Sequence, residues 1–435
     1  MRLKVSNFAK IKKADIRMDG ITVIAGDNNT GKTTVGKVLF SVFNSVYDIA
    51  NKVEDNRKRE LILRCRGIIR NALMQRNGLS TWETNIRPTR NVDFAYRELI
   101  NIISKSNLSL LTAGELEEVF QEITRKFELQ LDTETTDEFV SGILNQIEFI
   151  NQIDDYVMAR ELIEREFYQV FSGQFCNLGN VEPAKVELTL QGKELGFEFV
   201  EKSCRSWRTN IDILHEAFFI DDPFILDKLN DRYSDVRRTS NYIIDKILAT
   251  NVEENVVNAI LAKEKLKEVF DILNKVISGD IEDNNGEWGI SSERFSEPLR
   301  FENVSAGVKS FSLLELLLKK GILKEKDVLI LDEPEIHLHP EWQIKYAQII
   351  VLLQKKFDLS IVVTTHSRDF FEAIELFSKK YDVVDKCSFY LSRQDAGEVE
   401  FEDVSTDSTQ IYKHLVNPSR LLDKIKFELE EGENE

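Results

Sequence analysis

Cysteine is scarce in this chain: four in 435 residues (Cys65, Cys176, Cys204, Cys387), none in a Cys-x-x-Cys pair. That argues against a disulfide framework or a zinc site and fits a reduced compartment. Long apolar runs are missing too, since none approaches the roughly 20 residues of a membrane span. The amino terminus, Met1-Arg-Leu-Lys-Val-Ser6, alternates charged and apolar side chains and has no signal-peptide core. These absences predict a soluble, cytoplasmic protein without a membrane partner. Positive charge is in deficit, with 57 Lys and Arg against 75 Asp and Glu and a net charge of −18. An acidic chain is poorly suited to coating nucleic acid, which needs cations against phosphates, although a local basic patch could override that. No repeat of solenoid length is present. An apolar content of 42% is ample for a core, and the length leaves room for two or three domains.

Two segments far apart carry the chemistry. Ile21-Thr-Val-Ile-Ala25 reads as a strand and runs into Gly26-Asp-Asn-Asn-Thr-Gly31-Lys32-Thr33-Thr34, a complete GxxxxGK[ST] loop. Such a loop binds phosphates because glycines free successive backbone N–H groups, backed by a helix N-terminus. Gly26, Asn28, Asn29, Thr30, Gly31, Lys32, Thr33 and Thr34 are the expected ATP-binding residues. Lys32 would reach the β- and γ-phosphates, and the Thr33 hydroxyl would coordinate Mg²⁺. At the other end, the buried-strand run Val328-Leu-Ile-Leu331 leads into Asp332 and Glu333. Asp332 would bind Mg²⁺ through water, and Glu333 would act as general base on the attacking water. After Pro334 come His337 and His339, two histidines that either bind a metal or, bracketed by Glu335 and Glu341, position an active-site loop.

A third strand, Ile361-Val-Val-Thr-Thr365, ends at His366-Ser367. Ligands bind at strand ends in α/β sheets, so His366 is expected to report the γ-phosphate. Ser305-Ala-Gly307 opens a strongly apolar helix, a second anion-binding N-terminus. The first loop already serves one nucleotide, so Ser305 and Gly307 are expected to cap the ATP of a second copy. The simpler alternative is that Ser305 only caps its own helix.

Between these pieces the chain changes character. Strand-like alternation over 2–18 suggests a hairpin, and a helix should follow Lys32 with Val35, Val38, Leu39, Val42 and Phe43 on its buried face. The divisions expected are 1–50 as the first part of an ATPase head, 51–183 as a helical insertion, and 184–224 as further head strands. A helical segment over 225–287, ending in a Gly/Asp/Asn-rich break at 279–287, precedes the last head part, 288–425, and an acidic tail, 426–435. The insertion is unevenly charged: 12 Lys and Arg against 6 Asp and Glu over 51–105, then 4 against 15 over 106–180. Either two helical arms pack through complementary faces, or a basic arm (Arg57, Lys58, Arg59, Arg64, Arg66, Arg70) grips nucleic acid or an acidic protein.

Together these motifs resemble the ABC-type ATPase heads of the SMC/RecF/OLD group, over roughly half the chain. The resemblance implies an α/β fold, a split P-loop head with a helical insertion. It assigns Gly26–Thr34 to Walker A, Asp332 and Glu333 to Walker B, His366 to the switch histidine, and Ser305 and Gly307 to a signature acting in trans. It also sets Asn7-Phe8 near the adenine. His339 falls where transporter heads have an aspartate, and no Q-loop glutamine is evident, Asp221 or Asp222 falling in that region. Leu331-Asp-Glu-Pro-Glu-Ile-His-Leu-His-Pro340 is similar to the OLD-like ATPases of bacterial anti-phage systems of the Septu, PARIS, Gabija and retron-associated kinds. The Toprim nuclease of OLD proteins has no counterpart after His366, so a nuclease would come from a partner chain. The implied function is an ATP-driven switch, a homodimer or higher oligomer, controlling such an effector. The rivals are a DNA-repair or chromosome-maintenance ATPase and a scaffold that binds ATP without turnover.

Overall fold

The computed structural model describes residues 1–74, 90–105, 111–129, 132–177, 182–230, 237–249, 264–284, 286–293, 296–395 and 398–432. The chain divides into two units, Met1–Tyr47 with Ile163–Glu435, and Asp48–Leu162.

The larger unit is built on an eleven-stranded sheet. Its strands are β1 (Arg2–Phe8), β2 (Ile11–Arg17), β3 (Ile21–Gly26), β4 (Ala184–Leu190), β5 (Lys193–Val200), β6 (Ser203–Thr209), β7 (Ala217–Ile220), β11 (Val328–Asp332), β12 (Ser360–Thr365), β13 (Cys387–Asp395) and β14 (Glu398–Asp403), in the order β6-β5-β4-β1-β2-β14-β13-β3-β12-β11-β7. From β6 to β2 neighbouring strands are antiparallel, whereas β13, β3, β12, β11 and β7 run parallel. Of the parallel strands, β3, β7, β11 and β12 are largely apolar runs because both faces are covered. Alternation sorts their side chains into two cores: Val23, Leu329, Leu331, Ile361 and Val363 face one, Ile24, Val328, Ile330 and Val362 the other. Helices α1 (Lys32–Val46), α6 (Asp155–Phe171), α7 (Arg238–Ala249), α8 (Lys267–Val276), α9 (Ala306–Lys319), α10 (Pro340–Phe357), α11 (Arg368–Lys380) and α12 (Thr409–Gly432) complete this unit, α6 entering it at Ile163.

Three stretches differ from the sequence expectation. The 279–287 break holds the start of a second sheet, β8 (Asp280–Asn284), β9 (Glu287–Ser291) and β10 (Leu299–Arg300). β8 leaves its acidic side chains in solvent, so only β9, with Trp288 and Ile290 buried, carries an apolar signal. The β13–β14 hairpin carried no strand reading either. The stretch read as a solvated tail is helical in α12 as far as Gly432; residues 433–435 lie outside the described residues.

The second unit consists of α2 (Ile49–Met74), α3 (Arg90–Lys105), α4 (Ala113–Lys126), α5 (Thr133–Asn151) and the first turns of α6. Helix α2 buries Val53, Arg57, Leu61, Cys65 and Ile69, a stripe at four-residue spacing that packs on α3 and α5. Thr112 and Glu115 close a capping box at the start of α4. Phe120 and Phe139 stack with centroids 3.9 Å apart.

Of the basic side chains on α2, Arg57 is only 8% exposed and donates to the Ile150 carbonyl (2.5 Å), the Ile153 carbonyl (2.5 Å) and Asp155 Oδ1 (2.6 Å). It is therefore a structural cation and no part of a nucleic-acid grip. Arg64 pairs with Glu60 and covers the Phe149 ring. Arg57→Ala is expected to lower the unit's stability by about 3 kcal/mol, since three charge-assisted bonds are lost together and the Ile150 carbonyl is left buried without that charged donor. Thermal unfolding reads this, and a change below about 0.5 kcal/mol, the range of an ordinary surface substitution, would mean that water replaces the guanidinium at no cost.

Candidate active site

The parallel strands end together, and their loops converge. Between β3 and α1 the backbone turns through Gly26 (φ 147°), Asn29 (φ 67°) and Gly31 (φ 75°). Gly31 caps α1 without a side-chain bond, leaving the first N–H groups of the helix for an anion. The loop is held from behind: Thr30 Oγ1 donates to the Asp27 carbonyl (2.7 Å) and stands 2.6 Å from Ser392 Oγ, which donates to the Ala25 carbonyl (3.1 Å). Ser392, buried on β13, was invisible to motif reading. Asp27, Asn28 and Asn29 are exposed along the rim, where Lys10 Nζ donates to Asn29 Oδ1 (2.7 Å) and His414 Nε2 stands 3.0 Å from Asp27 Oδ1.

Lys32 is buried and folded back, donating to the carbonyls of Gly26 (3.0 Å) and Asp27 (2.7 Å). Burial lowers its pKa, opposed by Glu333, Asp332, Asp27 and Glu335. Next to it, Thr33 Oγ1 donates to Asp332 Oδ2 (2.8 Å), so residues 299 positions apart meet directly. Asp332 accepts a second bond from Thr364 Oγ1 at Oδ1 (2.6 Å). Burial nevertheless holds its carboxyl above the usual range. Thr34 follows on the first turn of α1, half-buried.

Glu333 has left-handed backbone (φ 51°), and its N–H points to Thr364, 3.0 Å from Oγ1 and 3.1 Å from the carbonyl oxygen. Its Oε1 stands 2.7 Å from His366 Nε2, and that contact holds the Glu333 carboxyl below the usual range. The two side chains expected to handle water and γ-phosphate are thus neighbours. Asp221 follows β7 beside the end of β11 and adds negative charge next to Asp332, while Asp222 caps the following turn. Asp332, Glu333 and Glu335 gather around Lys32, while Asp221 is paired with Arg237 (2.6 Å).

Ser305 sits exposed at the N-cap of α9 and makes no side-chain cap bond, so the simple capping alternative does not describe it. Gly307 is buried; a Cβ there would stand 3.0 Å from the Trp342 ring and 3.1 Å from the His337 carbonyl. His339 caps α10, its Nδ1 accepting from the Glu341 N–H (3.4 Å), and His337 meets the Phe224 ring edge-on. Among the described residues no group of three or more His, Cys, Asp or Glu side chains is arranged to hold a metal. Asn7 donates to Glu182, and Phe8 is fully buried among Phe167, Phe171, Phe175 and Phe199, with no face free for a base.

The AAA ATPase domain family matches residues 1–371, which include the phosphate loop, the acidic pair and His366. The chain belongs to this family. It is an ATP-binding ATPase with a mixed α/β fold split by an insertion. Among solved structures it is similar to the SMC head domain from Thermotoga maritima, at 10% identity over 93% of this chain and 98% of that one, TM-score 0.37. Similar too is an Smc head with an extended coiled coil, bound to the C-terminal domain of ScpA, from Pyrococcus furiosus, at 12% identity over 98% of each chain, TM-score 0.40. No curated protein matches the sequence. Among the described residues no helix is long and apolar enough to cross a membrane.

Proposed function

We propose that this ATPase is a nucleotide-driven switch: two copies close head to head on two ATP molecules, and hydrolysis reopens them. The observation that carries the hydrolytic part is the meeting of Thr33, Asp332, Glu333 and His366 at one sheet end. The residues suit Mg²⁺, because a hydroxyl and a carboxylate in contact are hard oxygen donors, and the surplus of carboxylates would otherwise repel a triphosphate. Thr33 and Asp332 would hold the ion. Held by these two side chains, Mg²⁺ would supply positive charge against the triphosphate.

The chain's own residues do the rest. Lys32 exchanges the Gly26 and Asp27 carbonyls for phosphate oxygens, and the open N-terminus of α1 receives the same phosphates. Glu333 takes a proton from the attacking water. His366 donates to the γ-phosphate and so reports its presence.

For closure, the supporting observation is the exposed Ser305 at an α9 N-terminus that no side chain caps. Ser305 and Gly307 would complete the neighbour's ATP site, which links dimer stability to nucleotide by mass action. A Ser305→Arg substitution in a Glu333→Gln background is expected to abolish ATP-dependent doubling of mass, while ATP affinity of the single chain stays within about twofold. Light scattering during gel filtration reads the mass. Doubling that survives the arginine would remove the in-trans role.

The effector is proposed to be a separate protein, a nuclease acting in cytoplasmic anti-phage defence, with the helical unit relaying closure. Purifying tagged Glu333→Gln from its host with ATP and Mg²⁺ tests this. A stoichiometric nuclease or other toxic protein supports the reading. Salt-sensitive nucleic acid without a protein partner would replace it with a DNA-maintenance role.

A further inference from the structure

Three residues beyond Asp332, Glu335 is 5% exposed, yet it is a carboxylate. Its Oε1 accepts three hydrogen bonds: from Thr365 Oγ1 (2.5 Å), from the His366 N–H (2.8 Å) and from the Ser367 N–H (3.2 Å). Thr365 Oγ1 in turn accepts from the Ser367 N–H (3.0 Å). Ser367 Oγ donates to Gln343 Oε1 (2.7 Å), and Gln343 Nε2 donates back to the Leu338 carbonyl (3.1 Å). The turn after β12 is therefore fastened to the loop after β11, chiefly through one oxygen atom. Burying a carboxylate costs several kcal/mol, and burial raises its pKa. An apolar residue would fill this space at less cost, so the charge is explained by the peptide groups it holds.

We propose that Glu335 is the positioning residue for His366. It fixes the two backbone N–H groups of residues 366 and 367, and so sets where the imidazole stands relative to Glu333. Strands β11 and β12 are parallel neighbours, but their loops are joined by no ladder beyond Asp332 and Thr364. Without the carboxylate, the two N–H groups of residues 366 and 367 lose their common acceptor, and the turn carrying His366 is tied by polar contacts to the segment after β11 only through Ser367–Gln343 and the His366–Glu333 contact itself. A misplacement of about 1 Å at a reacting centre costs on the order of a hundredfold in rate.

The inference rests on the hydrolytic reading above, and its test separates the two. Steady-state turnover gives kcat, and a fluorescent ATP analogue gives the dissociation constant independently. Glu335→Ala is expected to lower kcat by roughly 10–100-fold while affinity stays within about threefold. Glu335→Gln, whose amide oxygen accepts the same three bonds, should keep kcat within about fivefold of wild type. Adding Glu335→Ala to His366→Ala should cost nothing further, since both remove one function. Should the alanine variant fail to fold, Glu335→Asp keeps the charge, withdraws the oxygen by one methylene, and is expected to lose about tenfold in kcat.

A wild type without turnover overturns the hydrolytic reading and this inference with it. A wild type slowed by His366→Ala but not by folded Glu335→Ala or Glu335→Asp overturns this inference alone. So does affinity falling in parallel with kcat in those variants, which would mark Glu335 as a general structural support.

Discussion

Replacing Glu333 with glutamine is expected to lower ATP turnover by about 10²–10³-fold while leaving nucleotide affinity within a factor of about three. The size follows from loss of a general base, which contributes roughly 10²–10⁴-fold. Affinity survives because the substitution keeps the shape, and because the Glu333 backbone is held by Thr364 through its own N–H. The side chain faces His366, and its carboxyl also feels the charge of Lys32. Single-turnover hydrolysis of labelled ATP, beside equilibrium binding of the same nucleotide, separates the two effects. Turnover unchanged in Glu333→Gln would mean that another group takes the proton. Negligible turnover in the wild type would leave a scaffold that binds ATP for its structure alone.

The second large effect is steric. Gly26 ends β3 with φ 147°, and a Cβ built there would lie 2.1 Å from Ser392 Oγ and 2.6 Å from the Ser392 carbonyl oxygen. The serine hydroxyl could rotate away, but the carbonyl belongs to β13, whose register with β3 runs from Cys387–Ile21 to Ser392–Gly26. Gly26→Ala is therefore expected to cost about 3 kcal/mol or more, in the range of overpacked cores, and to abolish nucleotide binding in what remains folded. Thermal unfolding by circular dichroism and binding of a fluorescent nucleotide read the two effects. Combining it with Ser392→Gly should recover only part of the loss, because the backbone contact persists. A Gly26→Ala protein that melts and binds like the wild type would contradict the loop conformation described above.

The phosphate loop was legible because its constraints are local: backbone freedom and a lysine at fixed spacing, between a strand and a helix. Strands β11 and β12 were legible because burial on both faces leaves uninterrupted apolar runs. β13 has the same burial from Cys387 to Ser392, but Ser388 and Ser392 fill two of those places and break the run. Ser392 earns its place through bonds to Thr30 and Ala25, some 360 residues away in sequence. The three donors on Glu335 likewise come from about thirty residues downstream. Arg57 was open in the opposite direction: its charge allowed either helical arms packed through complementary faces or an exposed grip, and its partners, more than ninety residues on, internalise it. Composition and periodicity report which side chains seek the interior, but not which distant polar groups meet them there.

The position of β3 also sets an order of events during synthesis. Its neighbours are β12 and β13, and Ile21 pairs with Ile361 and with Cys387. At a ribosomal pace of roughly 5–20 residues per second, the strand bearing the phosphate loop waits tens of seconds for either neighbour. The helical unit, closed within Asp48–Leu162, has all its partners long before then. A nascent chain therefore carries a finished helical unit and no working nucleotide site until β12 and β13 emerge. Stalled chains of increasing length, probed with protease and labelled ATP, should gain nucleotide binding only after the β13 segment has left the tunnel. Binding by shorter chains would mean that the loop folds without its neighbours.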